Sequence, residues 1–109
     1  SYLTGFIPAS VGDTVYMKNV TFKYGVTSGL TSSNQRISFY NASKKQILQA
    51  NATGLGGVAN GVKGDDNIWT QFTLRKNMSN VDCSGVAYFR INAAYIGDDS
   101  IITVNEPIE

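Results

Sequence analysis

An alternation of apolar and polar residues with a period of two restricts the fold of this chain more than any other feature. It is clearest in NIWTQFTLRK, residues 67–76. In an extended strand, Ile68, Phe72 and Leu74 would share one face, and Trp69, the single tryptophan, would lie on the other. No window of about a dozen residues shows the spacing of an amphipathic helix. The chain is therefore predicted to be all-β.

The alternation predicts seven strands, a number typical of an antiparallel β-sandwich of about seven to eight strands. They cover residues 3–8, 14–24, 35–41, 45–51, 68–75, 86–92 and 100–105. Turn-forming residues separate them at 10–13, 41–43 and 97–99, and the stretch FYNASKKQIL predicts a hairpin. Two longer segments, 25–34 and 54–67, are loops of the length that often carries binding.

The length of 109 residues predicts a single domain, residues 1–109, with enough core to fold without disulfides. Because the sequence starts at Ser1 and ends on a strand-like segment, we expect it to be excised from a larger protein. The net charge of +1 and the scattered basic residues argue against nucleic acid as a partner. The apolar runs are too short for membrane insertion.

The composition disfavours an enzyme. The chain has no histidine, which removes the commonest general base. For the same reason Cys83, the only cysteine, has no histidine partner that could activate its thiol. No cofactor is expected, although scattered carboxylates are the ligand type that a structural calcium ion uses. They are Asp13, Asp65, Asp66, Asp98, Asp99 and Glu106. A hydrolase would need two of them about 5 to 10 Å apart in a cleft.

The polar phase of three predicted strands carries aromatic rings and planar donors. In VAYFRIN, Phe89 and Ile91 alternate with Tyr88 and Arg90, and QRISFYN places Tyr40 on the polar phase. If these strands and 68–75 are neighbours in one sheet, five side chains form one exposed shelf. The candidate ligand-binding residues are Trp69, Gln71, Tyr88, Arg90 and Tyr40. Tyr24 and Tyr95, beside loops, are secondary candidates.

Such a shelf suits a sugar, because pyranose C–H faces stack on aromatic rings and the hydroxyls need nearby donors and acceptors. Asn, Ser and Thr together outnumber the charged residues, which also favours a neutral, hydroxyl-rich partner. The alternative is that this face packs on a second sheet, with Trp69 in the core and Arg90 at its rim.

Three stretches in order carry a resemblance to a known group of domains. They are TGFIPASVGDTVYMKNV (4–20), RISFYNASKKQI (36–47) and VAYFRINAAYIGDDSIITVNEPIE (86–109). This ordered set resembles a module of bacteriophage tail, baseplate and fibre proteins. The resemblance implies a jelly-roll β-sandwich of the type shared with carbohydrate-binding modules, displayed outside the cell on the virion.

The resulting hypothesis is a non-catalytic carbohydrate-binding module in a phage adhesion or baseplate protein, which recognises a host cell-surface polysaccharide and contacts other virion chains. One shallow shelf gives roughly micromolar to millimolar affinity, so attachment would depend on many copies. The first alternative is a purely structural virion module that makes protein contacts without a glycan. The second is a fragment or accessory domain of a hydrolase.

Overall fold

A computed structural model describes residues 2–20, 36–50, 69–93 and 95–107 of the chain. Within these ranges the chain forms ten strands and no helix, which confirms the all-β prediction. The strands are β1 (Tyr2–Leu3), β2 (Ile7–Pro8), β3 (Thr14–Lys18), β4 (Arg36–Tyr40), β5 (Gln46–Ala50), β6 (Trp69–Thr73), β7 (Asn77–Met78), β8 (Val81–Asp82), β9 (Tyr88–Ala93) and β10 (Ile101–Val104). No helix suited to crossing a membrane occurs in the described ranges.

The strands form two antiparallel sheets and a small hairpin. The five-stranded sheet has the order β1-β9-β4-β5, and β2 also pairs with β9. The three-stranded sheet has the order β10-β3-β6. The hairpin consists of β7 and β8. Strands β6 and β9, which both carry candidate ligand residues, therefore lie in different sheets.

Aromatic packing joins the inner faces of the two sheets. The Phe72 ring of the three-stranded sheet lies edge-on to Phe39 and to Phe89 of the five-stranded sheet, with both centroid distances 6.2 Å. Val15 and Ile37, which are fully buried, belong to the same core. Burying apolar surface between two sheets is the main stabilising term in such a fold. The architecture is thus β-sandwich-like.

The structure refines two of the predicted strands and adds a hairpin. The stretch 3–8 is split into β1 and β2, and the strand predicted at 14–24 is strand as far as Lys18, while 21–24 lie outside the described residues. The hairpin β7–β8 was not predicted. Its two-residue turn has Ser79 and Asn80 at φ 51° and 61°, the left-handed conformation that tight hairpins use.

A bulge between β1 and β2 positions the Phe6 ring on the outer surface. Leu3 pairs with Asn92 and Ile7 pairs with Phe89, so three residues, 4–6, oppose two residues of β9. One extra residue reverses the phase of the strand. Leu3 is consequently on the outside, Ile7 packs against the core, and Phe6 lies over the outer face of the five-stranded sheet.

The predicted turns are present. Asp13 N–H donates to Ser10 O at 3.0 Å, and Gly12 has φ 98°, a conformation that glycine adopts without steric cost. Asn41 begins the turn between β4 and β5, which confirms the predicted hairpin. Ser100 N–H donates to Gly97 O at 3.0 Å before β10. The loops 25–34 and 54–67 lie outside the described residues.

Candidate ligand-binding surfaces

Trp69 lies on the outer face of the three-stranded sheet. Phe72 and Leu74, on the opposite phase of the same segment, are buried in the core, whereas Gln71 and Thr73 are exposed. Trp69 itself is half-buried and is not part of the core cluster. The alternation in the sequence therefore predicted its direction correctly, and the alternative of a core tryptophan is not what the structure has.

The five candidate residues do not form one shelf. Tyr40 and Tyr88 are directly opposite each other on β4 and β9, and Arg90 is two residues further along β9. Trp69 and Gln71 are on β6, which pairs with β3 in the other sheet. The predicted shelf required all three strands to be neighbours in one sheet. Strands β4 and β9 are neighbours, but β6 pairs with β3 rather than with β9, so this prediction was wrong for β6.

The first group surrounds Trp69 and is called the Trp69 surface; it consists of Tyr16, Lys18, Trp69 and Gln71. Lys18 is opposite Trp69 and Tyr16 is opposite Gln71 across the β3–β6 pair. The Tyr16 ring stands edge-on to the indole with centroids 6.5 Å apart, and Lys18 Nζ lies 5.3 Å from the indole centroid. Cross-strand aromatic and cation–π pairs of this kind hold a side chain in a fixed orientation.

Polar groups on the Trp69 surface remain available for a ligand. Within the described part of the chain, Tyr16 Oη, Trp69 Nε1 and the Gln71 amide make no hydrogen bond. Thr14 and Thr73 border the surface, and their hydroxyl oxygens are 2.9 Å apart. The surface thus combines an indole, a phenol and an amide with unsatisfied hydrogen-bonding capacity, which is the set of groups that a saccharide hydroxyl can use.

The second group lies on the outer face of the other sheet and is called the Phe6 cluster; it consists of Phe6, Tyr40, Lys44, Tyr88 and Arg90. The Phe6 ring is edge-on to Tyr40 and Tyr88, with centroids 4.9 and 6.1 Å apart. The Arg90 guanidinium carbon is 4.6 Å from the Phe6 centroid. Lys44 Nζ is 5.2 Å from the Phe6 centroid and 5.6 Å from that of Tyr88.

Backbone contacts fix the two cations of the Phe6 cluster. Arg90 Nε donates to Thr4 O at 3.0 Å, and Ile91 N–H donates to Thr4 Oγ1 at 3.0 Å, so the bulge holds the guanidinium. The Asn41 side chain accepts the N–H groups of Ser43 and Lys45 at 2.9 Å each. This turn places Lys44 in a left-handed conformation at φ 64°.

Two of the candidate carboxylates, Asp13 and Asp99, make side-chain hydrogen bonds at turns. Asp13 accepts hydrogen bonds from Ser10 N–H and from the Asn105 amide, and the pKa of Asp13 is lowered, chiefly by the Ser10 bond. Asp99 accepts a hydrogen bond from Tyr95 Oη at 2.5 Å, so the hydroxyl of Tyr95, a secondary candidate for ligand binding, is already engaged within the chain. Tyr24, Asp65 and Asp66 lie outside the described residues. Among the residues described, no three carboxylate, thiol or imidazole groups are arranged for a metal ion.

Cys83 is part of the core. Its side chain is fully buried, its Sγ lies 3.5 Å from Val81 O, and burial raises the pKa of the thiol. A raised pKa lowers the fraction of reactive thiolate at neutral pH. The environment of Cys83 therefore fits a structural side chain.

Four contributors to these surfaces were missed from sequence. Tyr16 and Lys18 were within the predicted strand 14–24, in which they alternate with Val15 and Met17. Tyr16 is half-buried, whereas Lys18 is buried like Val15 and Met17, so the alternation gave their phase but not the burial of Lys18. Lys44 falls in a predicted turn but without a signal for the ring that it contacts. Phe6 depends on the bulge, which the apolar pattern does not reveal.

Comparison with known proteins gives no relative from which a family or an activity could be transferred. No family model, no curated protein and no solved structure matches the chain. The geometry of the two surfaces and the chemistry of their side chains are accordingly the basis of the functional argument.

Proposed function

We propose that this chain is a non-catalytic carbohydrate-binding module of jelly-roll type, part of a phage adhesion or baseplate protein, that binds a host cell-surface saccharide. The observation that carries the proposal is the position of Trp69 on an outer sheet face, half-buried and outside the core, beside the exposed amide of Gln71. The phage setting and the jelly-roll connectivity are supported by the ordered sequence resemblance described above.

The Trp69 surface has the chemistry that a neutral sugar requires. An indole presents apolar area to the C–H face of a pyranose, and Tyr16 and Gln71 offer a hydroxyl and an amide to its oxygens. The supporting strands β3 and β6 are paired over five residues, so the surface is organised before a ligand arrives. Preorganisation reduces the conformational entropy lost on binding.

The expected affinity per site is weak. A shallow face contacts one side of a sugar ring and excludes little water, so roughly micromolar to millimolar binding is the range expected. Several modules acting together would multiply that affinity through effective concentration. Such avidity is how a displayed module of this kind would hold a polysaccharide.

Native gel electrophoresis in the presence of neutral polysaccharides tests the proposal. Gln71→Ala removes an exposed side chain and should weaken retardation about two- to tenfold, the loss expected for one hydrogen bond. Trp69→Ala should abolish it because the stacking area is gone. Gln46→Ala, an exposed amide in the other sheet, is the matched control and should behave as the parent chain.

Two outcomes would reject the proposal. If no neutral polysaccharide retards the parent chain, the structural virion module without a glycan ligand becomes the better account. If retardation occurs but survives both Trp69→Ala and Gln71→Ala, the saccharide binds elsewhere. Thermal unfolding of each variant separates loss of binding from loss of the fold.

A further inference from the structure

The Phe6 cluster contains two cationic side chains without an anionic partner. Lys44 and Arg90 both lie over the Phe6 ring, and neither makes an ion pair with a carboxylate in the described part of the chain. Two like charges near one ring repel each other, and a bound anion would offset that electrostatic cost. The cluster thus has a charge that its own residues leave uncompensated.

Several donors of the cluster make no hydrogen bond with the described residues. Arg90 uses Nε for Thr4 O, and no hydrogen bond within the described residues engages its terminal Nη groups. Tyr40 Oη and Tyr88 Oη likewise have no hydrogen-bond partner there. A guanidinium presents a planar pair of donors to a carboxylate or phosphate, and phenols can donate to the same oxygens or to sugar hydroxyls.

We infer that the Phe6 cluster is a second ligand site that takes a saccharide carrying an anionic substituent, a carboxylate or a phosphate. Lys44 and Arg90 contact the anionic group, and the Tyr40 and Tyr88 rings contact the sugar to which it is attached. This site is independent of the Trp69 surface, because the two lie on the outer faces of different sheets. A module with both sites would engage a polysaccharide from two sides.

A purely structural role predicts different behaviour. In that case Lys44 and Arg90 would serve only to hold residues 4–6 on the sheet through cation–π contacts. Neutralising Lys44 would then lower the stability of the chain without affecting any ligand. The two accounts therefore differ in whether binding of a charged polymer depends on Lys44.

Two pairs of polymers that differ only in charge provide the test. Polygalacturonate is compared with its methyl ester, and dextran phosphate with dextran, by native electrophoresis of the parent chain in gels that contain each polymer. We expect the charged member of at least one pair to retard the chain more, and we expect added salt to weaken that retardation. Which pair responds identifies the substituent as carboxylate or phosphate.

Lys44→Gln and Lys45→Gln form the matched variants, since they remove the same charge from adjacent positions of one turn. Lys44→Gln should weaken binding of the charged polymer about three- to tenfold, as expected for one charge-assisted contact, whereas Lys45→Gln should change it less than about twofold. Glutamine at position 44 is as strained at positive φ as lysine, so backbone strain is matched. Thermal unfolding confirms that both variants are folded.

The outcomes are distinct from those for the Trp69 surface. Retention of polygalacturonate or dextran phosphate binding in Trp69→Ala, with the expected weakening in Lys44→Gln, supports the inference even if neutral polysaccharides never bind. Equal retardation by charged and neutral members of both pairs would overturn it. Equal losses in Lys44→Gln and Lys45→Gln would also overturn it, because they would show attraction to overall charge rather than to the cluster.

Discussion

Asn105 donates a side-chain hydrogen bond to Asp13 Oδ1 at 3.0 Å, although 92 positions separate the two residues in the chain. The same Asn105 side chain accepts Thr14 N–H at 3.0 Å. Asn105 has φ 71°, which turns the chain back after β10. These contacts connect the end of β10 to the turn that precedes β3, the central strand of the sheet in which β6 carries Trp69.

Stability should fall in acid partly through Asp13. Its pKa in the folded chain is lowered by the hydrogen bonds from Ser10 N–H and Asn105. A carboxyl group with a lowered folded pKa stabilises the fold above the unfolded pKa of about 3.9, and this contribution is lost as pH falls through the lower folded value. We therefore expect Asp13→Asn to reduce stability at pH 7 and to flatten the acid limb of the stability profile.

Urea unfolding between about pH 7 and pH 2 measures this effect of Asp13→Asn. Asp98→Asn is the control, because Asp98 is an exposed turn carboxylate whose side chain makes no hydrogen bond in the described part of the chain. An acid limb in Asp13→Asn as steep as that of the parent chain would show that this carboxylate does not contribute.

The Phe72 ring is the expected centre of the core. Phe72→Ala removes edge-to-face contacts with Phe39 and Phe89 and should lower the free energy of unfolding by about 3 to 5 kcal/mol. Phe72→Leu keeps most of the volume and should cost about 1.5 kcal/mol, so that a folded variant is available. Gln71→Ala, one position away and exposed, should change stability by less than about 0.5 kcal/mol. Chemical denaturation distinguishes the three, and a Phe72→Ala change as small as that of Gln71→Ala would contradict the packing described.

Gly97 should be required only because Tyr95 lies across it. A Cβ at position 97 would overlap the Tyr95 ring and hydroxyl, and moving that ring would break the bond from Tyr95 Oη to Asp99. We expect Gly97→Ala to cost about 1 kcal/mol in the parent chain and close to nothing when Tyr95→Ala is also present. A double-mutant cycle measured by urea unfolding tests the coupling, and additive effects of the two substitutions would exclude it.

Much of the fold was predictable because alternation is a local property of the sequence. A residue such as Phe72 is buried and its neighbour Gln71 exposed whichever strand lies beside them, so the direction of Trp69 followed from its own segment. The partner of a strand is not local. The pairing of β6 with β3, rather than with β9, depends on contacts among residues far apart in sequence, and no pattern within either strand specifies it.

The composition of the Phe6 cluster illustrates the same division. Tyr40, Tyr88 and Arg90 were accessible from alternation in regular strands. Phe6 and Lys44 could not be predicted in this way. A one-residue bulge between β1 and β2 reverses the phase of the chain before Phe6, and Lys44 has a left-handed backbone conformation. Irregular backbone positions therefore supplied the two residues of the Phe6 cluster that sequence reasoning missed.

Collisional quenching of Trp69 by acrylamide tests the central claim most directly, since the chain has only one tryptophan. The account predicts intermediate quenching in the free chain, because the indole is half-buried, and a clear decrease when a neutral polysaccharide that retards the chain is added. Gln71→Ala should require more polysaccharide for the same decrease. Quenching that stays unchanged at saturating polysaccharide, or an indole already fully shielded in the free chain, would contradict binding at the Trp69 surface.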